Sequence, residues 1–513
     1  MTILVVVAIL AAAAAWWGAR RAGDATEYFA AGHRAGAVIV GIAGTAAAVS
    51  AFTFVGGPAL FAAVGAGSLW IILSAPLTGA LQCWAVGESI AAVSAQRPVL
   101  TVPELLGRAL ASRAVTAATA VVVLVGVVAS LAVQARAAAV LGEVFLGVSP
   151  VLAAVTAMAA TAAYTASGGM RTGLLADAIQ GGVMAGAAVV IAVAAVIVAG
   201  GPAAVIGTLA HTRPDLLGSL GGVGAGRAAS WYLLFCLGTL AQPHYLQKFL
   251  FLRSPAELRR LPAVLTGALA ATLAVWLGVG LAGTALIARG NLAVTQPDDL
   301  APRVVALLGP WAVVLAGVAV LAALMSTAAS FMNLAAAAVT RDLPAAWGRA
   351  PLPLGWARAT TVLVGAAATV VGISSERGVA LLGIAGWGFF TAALLPAVVL
   401  GLSWRGARAH ALVAAIIVGA VADLAIELGK AALAPAVEPG LAGAALGTLV
   451  LIAGSLAANR RRTRRFLPKM APHHRKLRRI CVRQSREQHN QIHSRSALDR
   501  DSGGAASNDC EEQ

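Results

Sequence analysis

The sequence predicts an all-α polytopic membrane protein with about 13 transmembrane helices. Of its 513 residues, 59% are hydrophobic and only 11% are charged, whereas soluble domains carry about 25% charged residues. Apolar segments of spanning length recur along the chain as far as Ala458. Two of them are interrupted by glycine, proline and polar residues, a pattern that is typical of the midplane ligand site of secondary transporters.

Thirteen apolar segments are long enough to cross a bilayer, which takes about 20 residues of helix. They lie at approximately 2–18, 37–65, 68–93, 114–140, 150–167, 174–200, 228–248, 262–287, 311–338, 358–374, 378–402, 409–428 and 440–458. Arg20 and Arg21 follow the first segment and no basic residue precedes it, which is the reverse of a signal peptide. We therefore interpret the first segment as a membrane span.

The net charge of +16 comes from the loops and from the C-terminal tail. If the spans alternate in direction, most Lys and Arg residues, among them Lys248 and Arg253, fall on the side of the C-terminus. The positive-inside rule then predicts a cell-membrane protein with its N-terminus outside and its C-terminus in the cytoplasm. This distribution of charge disfavours a nucleic-acid partner.

The chain divides by composition into a membrane domain, residues 1–458, and a basic tail, residues 459–513. The tail has no apolar periodicity, so we predict it to be disordered and to contact anionic membrane lipids. No feature of the sequence indicates an obligate protein partner.

Two spans contain residues that weaken a helix. Ala37–Gly67 runs into Gly56-Gly57-Pro58, and Ser230–Phe249 contains Gly238 and Gln242-Pro243-His244. Glycine adds backbone freedom and proline removes a donor, so we predict breaks at these positions that leave backbone groups free to face a ligand. Because glycine and proline are frequent in membrane helices, either span alone is also consistent with an ordinary packed helix.

The chain contains none of the motifs GxxxxGK[ST], HExxH or GxSxG. Its four cysteines show no metal-binding spacing. These absences disfavour a nucleotide-driven pump and a membrane hydrolase. We therefore expect a protein that is not an enzyme and that draws its energy from an ion gradient.

The ninth segment offers oxygen ligands in one helical patch. Ala323 and Thr327 are four residues apart, and Ser326 lies beside them. Two hydroxyl groups and a few carbonyl groups form an uncharged oxygen cage, which suits sodium better than calcium. The alternative is that these small residues only let helices pack closely.

Of the charged residues within the predicted spans, Asp177 and Arg136 are the candidates for function. Charges in a membrane are costly and usually functional. Asp177 follows a predicted tight turn at Gly168-Gly169-Met170-Arg171, so it either pairs with Arg171 or faces an ion path. Arg136 either favours an anionic solute, turns outward, or pairs with Glu143.

Several motifs are spread along most of the chain. They are Glu27-Tyr28-Phe29-Ala-Ala-Gly32-His-Arg34, Tyr164-Thr-x-x-Gly-Gly-Met-Arg with Asp177-x-x-Gln180, Gln242-Pro243-His244, Met325-Ser326-Thr327-x-x-Ser330, Thr340-Arg341-Asp342 and Trp404. Together they resemble the sodium:solute symporter family, from about residue 24 to about residue 408. The resemblance implies a leucine-transporter-type fold of two inverted five-helix repeats, approximately residues 37–200 and 228–402.

The resemblance also implies ligands for the coupling ion, Na⁺. These are the carbonyl groups of Ala46, Val49 and Ala323 and the hydroxyl groups of Ser326 and Thr327. Asp177 corresponds to the family aspartate that is linked to inward ion release.

The chain departs from the sodium/proline symporters at three positions. Ala48 stands where they carry an aspartate, and Phe235 and Thr239 stand where they carry Trp and Tyr. Proline is therefore disfavoured as the substrate, whereas the sodium hydroxyl groups are intact.

We expect sodium-coupled symport of a small organic solute by alternating access. Candidate solute-binding residues are Ser50, Thr53, Gln82, Gln134, Phe235, Thr239, Gln242 and Asn333. None is acidic, which disfavours an organic cation, and they are too sparse for the many hydroxyl groups of a sugar. Half-helix amides at the first break favour a monocarboxylate or an amino acid.

Two rival functions remain open at this level. A transporter-like sensor without net transport would share the same spans, although no signalling domain follows Ala458. A channel would be expected to show rings of charge or a filter loop, and the sequence shows neither.

Overall fold

The computed structural model describes residues 35–94, 99–429 and 436–463, and over these ranges the chain is helical apart from loops and one isolated bridge between Ala35 and Leu252. The predicted first span, the motif at Glu27–Arg34 and the tail beyond Thr463 lie outside the described residues.

Eight α-helices build the first half of the described chain. They are α1 (Ala37–Ala48), α2 (Gly57–Val64), α3 (Leu69–Ile72), α4 (Ala75–Gln82), α5 (Glu88–Ser94), α6 (Val102–Ala109), α7 (Arg113–Leu146) and α8 (Pro150–Val198). Turns of π-helix at Phe52–Gly56 and Cys83–Gly87 and a 3₁₀ turn at Gly65–Ser68 connect several of them.

Twelve α-helices follow in the second half. They are α9 (Gly201–Thr212), α10 (Pro214–Leu217), α11 (Gly224–Gly238), α12 (Pro243–Phe249), α13 (Leu261–Ala288), α14 (Leu300–Leu307), α15 (Pro310–Ala337), α16 (Leu343–Ala346), α17 (Leu354–Ser374), α18 (Val379–Ser403), α19 (Ala409–Gly429) and α20 (Pro439–Thr463). Short 3₁₀ turns lie at Thr239–Ala241, Pro255–Arg259 and Pro297–Asp299, and a π-helical turn lies at Ala338–Asp342.

Serine residues begin the two longest helices. The Ser112 side chain accepts a hydrogen bond from the Val115 N–H at the start of α7, and Ser149 accepts one from Leu152 at the start of α8. A side-chain oxygen at this position satisfies one of the four unpaired N–H groups of a helix N-terminus. Gly147 in the left-handed conformation ends α7, which is the usual role of glycine after a helix.

Ten helical stretches of the described chain are long and apolar enough to cross a membrane, and Ala37–Ala48 is a shorter apolar helix. Every predicted segment from 37–65 onward overlaps a helix, but the count of thirteen is not confirmed. The tight turn expected at 168–171 is not present, because α8 is helical throughout. Two candidate spans, Pro150–Ser167 and Leu174–Val198, lie on either side of that point.

The first broken helix is interrupted seven residues earlier than the sequence predicted. α1 ends at Ala48, and Val49 is extended, with φ −84° and ψ 114°. The chain resumes as helix only from Ala51. Gly56-Gly57-Pro58 is helical instead, since Pro58 lies in the first turn of α2, where a missing N–H costs no hydrogen bond.

The two glycines serve close packing rather than a break. A Cβ atom at Gly57 would lie 2.4 Å from the ring of Trp276, and one at Gly56 would lie 2.8 Å from the Ala380 backbone nitrogen. Both distances are far below van der Waals contact, so α2 can approach α13 and α18 only with glycine at these positions.

The second predicted break is confirmed. α11 ends at Gly238, a 3₁₀ turn follows, and Gln242 is extended before Pro243 begins α12. Proline at the first position of α12 has no N–H to leave unpaired, so the chain can restart as helix directly after the break.

Helix α15 lies at the centre of the packing. All its residues from Ala322 to Ala337 are buried, and most are small, which lets neighbouring helices approach on every side. A helix that is surrounded in this way can present polar groups to its neighbours without exposing them to lipid. Three of the five predicted ion-binding residues, Ala323, Ser326 and Thr327, lie in this stretch.

Candidate ion and solute site

Two hydroxyl groups of α15 meet the carbonyl end of α1. Ser326 Oγ lies 2.8 Å from the Ala46 carbonyl oxygen and 3.2 Å from that of Ala323. Thr327 Oγ1 lies 3.3–3.4 Å from the carbonyl oxygens of Ala46, Ala47 and Val49. The five residues predicted from the sequence therefore converge, and the structure adds Ala47, which the sequence prediction missed. We call this group the oxygen cage.

The oxygen cage has more lone pairs than protons. Its two hydroxyl groups carry one proton each, whereas four carbonyl groups point toward them. The break after Ala48 explains the surplus: in a continuous helix the Ala51 N–H would bond the Ala47 carbonyl, but here it donates to Gln134 Oε1 at 3.3 Å. Unpaired carbonyl groups at a helix C-terminus carry partial negative charge, which attracts a cation.

The spacing of the oxygen atoms fits a small hard cation. For octahedral oxygen ligands about 2.4 Å from a cation, neighbouring oxygen atoms lie about 3.4 Å apart. The contacts of Thr327 already have this spacing, whereas the two contacts of Ser326 have to widen, the one with Ala46 more than the one with Ala323. The cage contains no carboxylate group, which suits a monovalent ion better than a divalent one.

A cavity of about 100 Å³ adjoins the oxygen cage. The two share Ala47, Val49 and Thr327, which contribute to the cage and also line the cavity. Twelve further residues that are polar or contain a ring nitrogen line it: Ser50, Thr53, Ser74, Thr78, Ser130, Gln134, Thr239, Gln242, His244, Tyr245, Trp276 and Trp387. Within the described residues no carboxylate, Lys or Arg side chain lines this central cavity.

Most of the predicted solute residues do line the central cavity. Ser50, Thr53, Gln134, Phe235, Thr239 and Gln242 all belong to its wall. Two of the predicted residues do not line it. Asn333 is buried on α15 but lies six residues beyond Thr327, about 9 Å farther along the helix, and Gln82 donates to the Thr239 carbonyl oxygen instead of facing the cavity.

The sequence prediction missed two polar atoms of the cavity wall. Trp387 Nε1 and His244 Nδ1 are both buried and have no hydrogen-bond partner in the described part of the chain. A buried polar group without a partner costs about 1–3 kcal/mol, so each is a position where a ligand can supply the missing bond. His244 could have been predicted, because it lies in the Gln242-Pro243-His244 motif. Nothing in the sequence around Trp387 distinguishes it from the other ten tryptophans.

A second, larger cavity of about 1110 Å³ lies toward the predicted outer side. Arg136 lines it and donates to Gln296 Oε1 at 3.3 Å. Arg136 does not line the central cavity, and its side chain bonds Gln296 rather than Glu143, which agrees with the alternative that Arg136 turns outward. Asp298 lines the same cavity, and its burial raises the pKa of this carboxyl above its usual range.

Aromatic rings that contact one another line the central cavity. The ring centroids of Phe52 and Phe235 are 6.0 Å apart, those of Phe235 and Trp387 are 5.2 Å apart, and Trp276 meets Phe52 edge-on at 5.3 Å. On α11, Trp231 lines the outer cavity, and Phe235, one turn later, lines the central one.

Asp177 pairs with Lys248. The Lys248 ammonium donates to Asp177 Oδ2 at 2.6 Å, and both side chains are only 3% exposed. The sequence prediction that Lys248 lies in a cytoplasmic loop is wrong, because this residue is on α12, the second half of a broken helix. The side chain of Arg171, the partner considered from the sequence, lies outside the described residues.

Comparison with known proteins identifies the family. A model of the sodium:solute symporter family matches residues 28–419. The chain belongs to the sodium:solute symporter family. Its coupling ion is sodium, and it is a multi-pass membrane transporter rather than an enzyme.

Curated relatives of this symporter share about a quarter of its sequence. The sodium/pantothenate symporter of Haemophilus influenzae is 25% identical over 77% of this chain and 82% of its own length. The osmoregulated proline transporter OpuE of Bacillus subtilis is 24% identical over 79% of this chain and 84% of its own. The resemblance inferred from the motifs is thus confirmed.

A solved structure confirms the fold of the symporter. A Na⁺-coupled sialic acid symporter, in a substrate-bound outward-open state, matches with a TM-score of 0.75 over 89% of this chain and 97% of its own, at 18% identity. The leucine-transporter-type fold expected from the motifs is therefore present. At this level of identity the likeness extends to the fold alone.

Proposed function

We propose that this symporter takes up a small monocarboxylate or a zwitterionic amino acid across the cell membrane, with sodium bound in the oxygen cage. One observation carries the proposal: Val49 and Thr327 belong to the cage and also line the central cavity. An ion in the cage fixes the break after α1, which forms one wall of the cavity. The solute site is therefore complete only when sodium is bound. The solute then binds more tightly to the sodium-bound protein than to the sodium-free protein, and coupling requires this difference in affinity.

The donors of the central cavity support a solute with a carboxylate group. The Trp387 Nε1–H has no partner among the described residues. The Ala51 N–H, at the start of the helix after the break, has only the neutral Gln134 oxygen at 3.3 Å. A carboxylate oxygen is a stronger acceptor at the positive end of a helix. The Trp387 ring lines the same cavity as Ser50 and Phe52, the two residues on either side of Ala51.

The absence of charge from the cavity wall supports the same class of solute. An organic cation would lose its hydration without gaining a counter-ion from the described lining residues, which costs several kcal/mol. The volume of about 100 Å³ is below the about 300–1,000 Å³ of common ligand pockets, which supports a small solute. Pantothenate and proline, for which the curated relatives are named, are both carboxylates.

Thermal unfolding of the purified protein with a panel of solutes tests the proposal. Short-chain monocarboxylates and neutral amino acids are compared with hexoses and choline, in sodium chloride and in potassium chloride. A ligand at one hundred times its Kd stabilises the folded state by about 2.7 kcal/mol. We expect this stabilisation from one of the first two classes and only in sodium. Stabilisation by a hexose or choline alone would contradict the proposed solute class.

A variant of Trp387 tests the role of the free donor. Trp387→Phe keeps a ring but removes the N–H group, and we expect the Kd of the stabilising solute to rise about fivefold to tenfold, since a hydrogen bond to a charged group contributes about 1.5 kcal/mol. Trp356→Phe is the control, because Trp356 is 59% exposed and does not line the central cavity. Equal affinities in the two variants would remove Trp387 from the proposed site.

A further inference from the structure

A third cavity, of about 390 Å³, lies between α6, the start of α7 and the segment that follows α15. We call it the inner cavity, because the predicted topology places it on the cytoplasmic side. Its volume falls within the about 300–1,000 Å³ of common ligand pockets. Its wall contains five charged residues: Glu104, Arg108, Arg113, Arg341 and Asp342. Both signs of charge therefore meet in this cavity.

The carboxylate group of Asp342 is buried in the wall of the inner cavity. Asp342 is 4% exposed, and its Oδ1 accepts a hydrogen bond from Thr101 Oγ1 at 2.6 Å. Its Oδ2 is buried and has no hydrogen-bond partner in the described part of the chain. An unpaired carboxylate oxygen in such a place is costly. It marks a position for a ligand group that carries N–H donors and a positive charge.

The first turn of α7 provides the opposite preference. Arg113 begins α7, and Ser112 and Thr116 of the same turn also line the inner cavity. The N-terminus of a helix favours an anion and disfavours a cation such as Arg113 unless an anion lies beside it. Arginine is also well suited to phosphate groups. The exposed Arg113 and this turn therefore mark a position for a phosphate group.

The depth of the inner cavity in the membrane is indicated by two tryptophans. Trp347, two residues after Ala345 in the cavity wall, is 65% exposed, and Trp356 is 59% exposed. Tryptophan is enriched where lipid headgroups meet water. The cavity therefore lies at the level of the headgroups, which are the phosphate groups nearest to it.

We propose that the inner cavity binds the phosphoethanolamine headgroup of a membrane lipid. Its ammonium group donates to Asp342 Oδ2, and its phosphate group accepts from Arg113. An anion alone would be repelled by Asp342, and a cation alone would be repelled by the three arginines, whereas a headgroup with both charges satisfies both positions. A choline headgroup has no N–H donor, so the cavity distinguishes ethanolamine from choline. The inference is independent of the proposed solute and of the sodium cage.

Thermal unfolding of the purified full-length protein in detergent tests the inference. Short-chain phospholipids with ethanolamine, choline or glycerol headgroups are added without sodium or solute. A ligand of the folded state raises the unfolding midpoint with the logarithm of its concentration. We expect this rise from the ethanolamine lipid and much less from the other two. An equal rise with choline or with glycerol would overturn the inference, because neither headgroup can donate an N–H to Asp342.

Free phosphoethanolamine distinguishes a lipid from a soluble ligand. It has the same two charges but no acyl chains, so we expect it to stabilise the protein only at much higher concentrations than the lipid. Equal stabilisation at equal concentrations would assign the inner cavity to a soluble ligand and overturn the assignment to a lipid.

Two variants test the residues. Arg113→Gln removes an exposed charge, and we expect the half-saturating concentration of the ethanolamine lipid to rise about tenfold. Arg405→Gln is the matched control, because Arg405 is exposed and does not line the inner cavity. Asp342→Asn should remove most of the preference for ethanolamine over choline. If Asp342→Asn does not fold, an unchanged half-saturating concentration in Arg113→Gln would still overturn the inference.

Discussion

Ser326 and Thr327 are the residues on which we propose that sodium binding depends most. Ser326→Ala or Thr327→Ala removes one oxygen ligand and little volume. We expect the sodium concentration for half-maximal binding to rise about tenfold, because one polar contact to a charge contributes about 1.5 kcal/mol. Equilibrium binding of radioactive sodium measures the change.

Thr361→Ala is the matched control for the cage variants. Thr361 is fully buried, and its hydroxyl group bonds the Ala357 carbonyl within its own helix, α17. The control therefore loses a buried hydroxyl group that has no role in the cage, and we expect its sodium affinity to stay at the wild-type value. If the cage variants behave like the control, Ser326 and Thr327 serve only helix packing.

Asp177 is the residue whose neutralisation should cost the most stability. Asp177→Asn leaves the Lys248 ammonium buried and uncompensated, and breaking a buried ion pair in this way costs about 3–5 kcal/mol. We expect a marked fall in the unfolding midpoint and slower turnover. Asp177→Asn/Lys248→Gln, which has no buried charge left at this position, should recover most of the midpoint. Equal midpoints for the single and the double variant would contradict this account of the pair.

The sequence predicted one part of the site well and the other part poorly. The oxygen ligands were predictable because Ser326, Thr327 and the small residues around Ala46 lie in motifs that resemble a known family. The position of Lys248 was not predictable, because this residue lies five residues before Arg253 and its sequence context is that of a basic loop. Only the packing of α8, α12 and α15 shows that its ammonium group is buried.

The two broken helices show how well glycine and proline in the sequence predict the position of a helix break. Gln242-Pro243 marks a break correctly because proline begins the new helix after an extended residue. Gly56-Gly57-Pro58 misled the prediction because its residues are also those that permit close packing. The true break at Val49 has no local signature: its unpaired groups are matched by Gln134, Ser326 and Thr327, which are distant in sequence.

Gly57→Ala tests the packing role of the second half of the first broken helix. The added methyl group would lie 2.4 Å from the Trp276 ring, which is fully buried and cannot move aside freely. We expect a loss of about 1–3 kcal/mol in unfolding free energy from overpacking. Gly186→Ala on α8 is the control, since no atom lies within 4 Å of its added Cβ. If Gly57→Ala is as stable as the control, α2 is not held by this contact.

The orientation of the whole molecule in the membrane is a prediction from the distribution of Lys and Arg. Reporter fusions after Gly218 and Gly290 should report the outside, and fusions after Arg349 and Ala458 should report the cytoplasm. Because Lys248 is buried, the number of Lys and Arg residues predicted in cytoplasmic loops falls by one. The excess of basic residues on the predicted cytoplasmic side remains. A cytoplasmic signal at Gly218 would reverse the predicted topology and, with it, the assignment of the larger cavity to the outer side.

The fold of the whole molecule was more predictable than its internal detail. Apolar segments of spanning length are long-range features of composition, so each from 37–65 onward overlaps a helix. The central cavity was not predictable, because the rings of Phe52, Phe235 and Trp387 that line it come from three segments far apart in sequence. Their stacking depends on tertiary packing alone.

Sodium-driven uptake into proteoliposomes tests the central claim most directly. Vesicles with purified protein receive a labelled short-chain monocarboxylate or neutral amino acid, with sodium outside and potassium inside. We predict accumulation above the external concentration, and its loss when a sodium ionophore dissipates the gradient or when Ser326 and Thr327 are both replaced by alanine. Entry that only equilibrates, or that is unchanged without sodium, would contradict coupling through the oxygen cage.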